Sequence, residues 1–206
     1  MRAAGLSVAR TLGLTGSILL PIGGSASLLL PALPLPGNPP AGIPVVAVGY
    51  GLLLMAVRRI SDVTGDGRIF RDMLLSVAVQ LDWWSALGLT FLVAQMTGLL
   101  TPEDVPRLDA VIEAAILVGF WIGLWAVTAA SAWLLRRSFT AIALRTGAGR
   151  FASAGRWYWL GALLLVVVVG AALMLVGFVQ QVLAFRELPD EPEPPALRPV
   201  ATRPVA

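Results

Sequence analysis

The chain has 206 residues, of which 57% are hydrophobic and 13% charged, with a formal net charge of +3; soluble domains carry about a quarter charged residues, so an ordinary water-soluble fold is excluded. Cysteine and histidine are absent and all 15 basic residues are arginine. That removes disulfides, thiolate and imidazole metal sites, His-based nucleophile pairs, Walker A lysines and Schiff bases.

Apolar runs near the length needed to cross a bilayer recur along the whole chain. The first, over 7–33, follows Arg2 and Arg10 and contains Pro21, which predicts a kinked helix. Its basic start, apolar middle and small residues Ser25-Ala26-Ser27 also fit a cleavable leader. A Pro/Gly-rich turn over 31–44 precedes a second run, 42–57, ending at Arg58-Arg59. The third run covers 70–100, and an acidic linker with Glu103 and Asp104 leads to the fourth, 108–135, ending at Arg136-Arg137. Phe139, Ile142 and Ala143 keep helical spacing beyond that pair, which extends the fourth helix to about Arg145. The fifth run is 157–185, and the Pro/acid-rich stretch 187–206 is expected to be disordered. The expectation is an all-α polytopic membrane protein of five spans: an N-terminal helix (1–33), a first hairpin (42–100), a second hairpin (101–186) and a tail.

Arginine placement sets the orientation. With the N-terminus cytoplasmic, Arg2, Arg10, Arg58, Arg59, Arg68, Arg71, Arg136, Arg137, Arg145, Arg150 and Arg156 lie inside, and Arg107, Arg186, Arg198 and Arg203 lie outside. Five spans then put the C-terminus outside. Because the basic residues follow topology, they are not read as a nucleic-acid surface. The partners expected are the lipid bilayer and a second membrane helix, from another copy or another protein.

Two loops share a pattern. Thr64-Gly65-Asp66-Gly67-Arg68 follows the second run and Thr146-Gly147-Ala148-Gly149-Arg150 the fourth, each after an Arg-Arg pair. The pattern predicts two copies of one hairpin. A T-G-x-G-R segment reads first as a helix stop, since glycine adopts the left-handed conformation that closes a helix. Its second reading is an anion cradle of backbone N–H groups.

The second hairpin also carries Ser138-Phe139, Phe151, Ala154-Gly155, Gly161-Ala162, Gly170, Ala184-Phe185 and Leu188-Pro189. With Leu12-Gly13-Leu14-Thr15-Gly16-Ser17, Ile60-Ser61 and Ile69-Phe70, these resemble a largely archaeal membrane family, number 996 among the domains of unknown function. The resemblance covers about residues 10–190 and departs around Asp82-Trp83-Trp84. It implies a multi-pass membrane protein and carries no activity.

Few residues offer chemistry. Asp82 stands about 18 Å into the third helix by helical rise, and a mid-membrane carboxylate points to a proton or cation path. If that helix begins at the interface, Asp82 lies at the boundary and Trp83-Trp84 are belt residues. Gln95, Glu113, Gln180 and Gln181 all lie about 8–9 Å inside the expected outer boundary, as a polar layer or as interhelical hydrogen bonds. Ala115, Gly119, Gly123, Ala126 and Ala130 make a small-residue stripe on the fourth helix, expected to pack within the chain, or else against a second copy. No catalytic residue, metal site or cofactor follows. The leading expectation is a non-enzymatic accessory or membrane-organising protein acting through helix packing; the alternative is a small transporter or ion conduit using Asp82.

Overall fold

The computed structural model describes residues 3–29, 42–96, 110–167 and 169–189. These form six helices: α1 (Ala3–Leu29), α2 (Gly42–Thr64), α3 (Gly67–Met96), α4 (Ala110–Thr146), α5 (Arg150–Leu163) and α6 (Val169–Arg186). The described residues contain no strand. The fourth helix runs past its arginine pair as expected. Pro21 lies inside α1, where neighbouring helices tolerate the lost backbone bond.

Side-chain contacts give the topology. Gly16 of α1 meets Gly49 and Leu53 of α2. Ser76 of α3 bonds Ser131 of α4, Gly155 of α5 lies against Arg136 of α4, and Tyr158 of α5 bonds Gln181 of α6. Each neighbouring pair is antiparallel. Gly13 of α1 abuts Phe185 of α6, so the six helices close into an up-and-down ring.

One end of the ring collects the N-termini of α1, α3 and α5 and the C-termini of α2, α4 and α6. This is the arginine end. Its core holds Leu6, Ile60, Ile69, Phe139, Ile142, Phe151, Phe185 and Leu188, all fully buried. Phe139, Phe151 and Phe185 stack edge to face with centroids 5.5 and 5.0 Å apart, a geometry worth about 0.5–1.5 kcal/mol per pair beyond area burial.

The fifth apolar run departs from expectation. It is not one span but two antiparallel helices, α5 and α6, with a turn over 164–167 after the first. The close approach of Gly161 and Gly170 permits this: a Cβ on either would collide with the other's carbonyl oxygen or with Leu164. Uniform hydropathy conceals such a reversal, because a run of Leu and Val reads alike as one helix or as two. The chain beyond Phe185 therefore returns to the arginine end. There Leu188 is buried in the core and accepts hydrogen bonds from Arg10 through Nε (3.1 Å) and Nη2, while Glu187 pairs with Arg150 at 2.9 Å. The first tail residues are thus docked rather than disordered; 190–206 lie outside the described residues.

Four helices are long and apolar enough to cross a membrane, over Leu6–Gly23, Ile43–Thr64, Ala114–Thr146 and Val169–Arg186. α3, at 30 residues, is longer than α1, α2 and α6 but is interrupted by Gln80, Asp82, Trp83 and Trp84. α5, with 14 residues, reaches only about 21 Å. The protein is a polytopic helical membrane protein, with four helices of spanning length and apolarity among the six described where about five spans were expected.

Candidate functional site: a polar cavity at the centre of the ring

The two T-G-x-G-R loops form equivalent turns at the arginine end. Gly65 and Gly147 both have positive φ, 70° and 75°, and the preceding Thr64 and Thr146 each bond back four residues, to the Ile60 and Ile142 carbonyls at 2.8 Å. The first turn closes with Asp66 N–H on the Ser61 carbonyl, and the second with Gly147 N–H on the Ala143 carbonyl. These are the two common glycine-terminated helix ends. Several of the following amides are spent within the turns: Arg68 N–H donates to Asp66 Oδ1, and Ile69 and Phe151 N–H donate to carbonyls three residues back. The anion-cradle reading gains no support from this geometry. Arg145 bonds Asp66 at 3.2 Å and so ties the second turn to the first. Gly67, Arg68, Gly149 and Arg150 are exposed around them.

The structure scatters the remaining candidates. Asp82 is exposed and lies about 22 Å along α3 from Gly67, away from the ring's interior. Gln95 and Glu113 belong to α3 and α4, but their side chains lie outside the described residues. Gln180 and Gln181 do not share their level, because α6 runs back toward the arginine end. Of the small-residue stripe, Gly123 packs against Trp83, whereas Ala115, Gly119, Ala126 and Ala130 are exposed. The expected packing of that stripe within the chain is therefore found at Gly123 and not at the other four. Helix α4 spans about 55 Å at 1.5 Å per residue, and α5 reaches only the level of Trp125, whose indole N–H donates to the Leu163 carbonyl at 3.2 Å. Above that level α3 and α4 project as an arm with exposed Leu89, Leu92, Val93, Ile116, Leu117 and Val118.

What the fold does bring together is a polar interior. A cavity of about 140 Å³ is lined from all six helices, by Leu20, Tyr50, Ser76, Gln80, Thr128, Tyr158 and Gln181 among others. Beside it, Tyr158 Oη donates to Gln181 Oε1 (2.9 Å) and Gln181 Nε2 donates to Ser17 Oγ (2.8 Å), linking α5, α6 and α1. Across it, the Ser76 and Ser131 hydroxyls lie 2.9 Å apart, and each also reaches the other's carbonyl. No charged side chain lines the cavity. At the arginine end the aromatic core closes it off.

Sequence reasoning singled out Gln181 but missed Tyr158, Ser17, the serine pair and Asp72. Asp72 is 4% exposed and sits between Arg137 at 3.3 Å and Arg71 at 3.6 Å. The Arg137 guanidinium also covers the Trp133 ring at 4.8 Å. The available signal was spacing: Asp72 and Ser76 fall one turn apart on α3, on the face that Ile69 and Met73 bury.

These features describe a membrane-embedded ring of helices with a neutral interior, and comparison with known proteins agrees with its class. The chain belongs to the family described as "Protein of unknown function (DUF996)", whose model matches residues 45–179. It is similar to "Uncharacterized protein MJ1644" of Methanocaldococcus jannaschii, with 28% identity over 152 residues, covering 73% of this chain and 82% of the relative. No solved structure matches.

Proposed function

We propose that this is a non-enzymatic integral membrane protein that acts through helix packing, as an accessory or membrane-organising subunit, with both chain ends on the cytoplasmic face. The observation that carries the reading is the α3–α4 arm. Its apolar sides and its small residues Ala115 and Gly119 are exposed, and small residues on a membrane helix let a second helix approach closely. The orientation is supported by the return of α6, which sets Leu188 beside Arg10 at the end where Arg58, Arg59, Arg68, Arg71, Arg136, Arg137, Arg145, Arg150 and Arg156 gather. Such an excess of arginine marks the cytoplasmic side.

The test is gentle extraction from native membranes followed by intact-complex mass. A stoichiometric partner or a homodimer supports the reading, and a lone monomer contradicts it. Nothing within 4 Å meets a Cβ built on Gly119, so Gly119→Leu leaves the ring intact and is expected to abolish the complex.

A further inference from the structure

We infer that the central cavity is a binding site for a small, uncharged, hydroxyl-rich solute of about six non-hydrogen atoms. Size sets the first limit. The cavity measures about 140 Å³, close to the roughly 150 Å³ that accommodates a six-carbon ring in a protein core. Polarity sets the second. Apolar cavities stay empty of water, whereas this one presents Tyr50, Ser76, Gln80, Thr128, Ser131, Tyr158 and Gln181.

The hydrogen-bond accounting sets the third. Ser76 and Ser131 satisfy each other, and Tyr158 and Gln181 are joined in the chain to Ser17. Tyr50, Gln80 and Thr128 have no hydrogen-bond partner among the described residues, although Thr128 is only 7% exposed. A hydroxyl from α2, an amide from α3 and a hydroxyl from α4 thus converge on one volume with unspent donors and acceptors. None of these three side chains has a polar atom sealed from water, so an occupant must displace water from them, and one with several hydroxyls reproduces the displaced hydrogen bonds where an apolar solute does not. With no charged residue in the lining, an ion would enter uncompensated. A three-carbon polyol matches the size, the neutrality and the number of free groups.

The probe is glycerol, added to the purified full-length protein in lipid nanodiscs and followed by saturation-transfer NMR. Saturation transfer to glycerol is expected in the wild type and not to an equal concentration of sodium acetate. Thr128→Val keeps the side chain's shape, and Gln80→Leu removes the amide. Each is expected to weaken glycerol binding about fivefold, as loss of one neutral hydrogen bond does. Ser153→Ala, away from the cavity, is expected to change nothing. Unchanged unfolding midpoints establish that Thr128→Val retains the fold. Equal saturation transfer in wild type and Thr128→Val, or none in the wild type, would overturn the proposal and leave the cavity as a water site.

Discussion

Gln181 is the residue on which the interior hydrogen bonding turns, because its side chain hydrogen-bonds α6 to both α5 and α1. Gln181→Leu orphans the Tyr158 hydroxyl and the Ser17 hydroxyl together. Interhelical hydrogen bonds in membranes average about 0.6 kcal/mol, with a maximum near 1.7. The single substitution is therefore expected to cost about 1–2 kcal/mol in a reversible unfolding titration. Adding Tyr158→Phe and Ser17→Ala is expected to recover part of that loss, since removing both partners costs less than leaving one unpaired. Asp72 presents the complementary case. Its partner Arg137 is 44% exposed at the side chain and Arg71 63%, so water screens the pair, and Asp72→Asn is expected to cost no more than about 1 kcal/mol. The sequence made Gln181 visible as a polar residue in an apolar run. It did not make Tyr158 or Ser17 visible, because tyrosine and serine are ordinary in membrane helices and only the ring closure joins them.

At the scale of elements, the turns were legible and the last hairpin was not. A threonine followed by glycine at the end of an apolar run carries the physics of a helix stop, and both Gly65 and Gly147 adopt the left-handed conformation. Gly65→Ala is expected to destabilise by about 1–2 kcal/mol, with no steric component because nothing lies within 4 Å. Gly67→Ala, equally open but without positive φ, is expected to be neutral, and comparing the two midpoints isolates the backbone term. The α5–α6 reversal gave no such signal. Residues 163–169 are Leu and Val throughout, without proline, glycine or a polar turn former, and the glycines that permit the fold-back, Gly161 and Gly170, flank the turn. Gly170→Leu is expected to open the hairpin, since the new side chain would meet the Leu164 and Gly161 backbone. Loss of proteolytic protection at Arg186 would report it, because α6 would leave the core that holds Leu188.

For the whole molecule, composition and arginine placement were sufficient to define an all-helical membrane protein with a basic face. They were insufficient to reveal the reversal between α5 and α6, which returns Leu188 to the arginine end. Six antiparallel helices bring Leu188 to Arg10, Glu187 to Arg150 and Phe185 to Gly13. Those three contacts close the ring, seal the cavity at one end and concentrate the arginines, so the interior and the orientation stand or fall together. The absence of native cysteine makes the direct measurement clean. Single cysteines introduced as Gly149→Cys, Pro102→Cys and Thr202→Cys are labelled in sealed vesicles of known orientation with a membrane-impermeant maleimide. The account predicts that positions 149 and 202 react from the cytoplasmic side and 102 from the opposite side. Labelling of 202 from the same side as 102 would contradict it, because α6 would then cross the membrane away from the arginine end and the ring could not close.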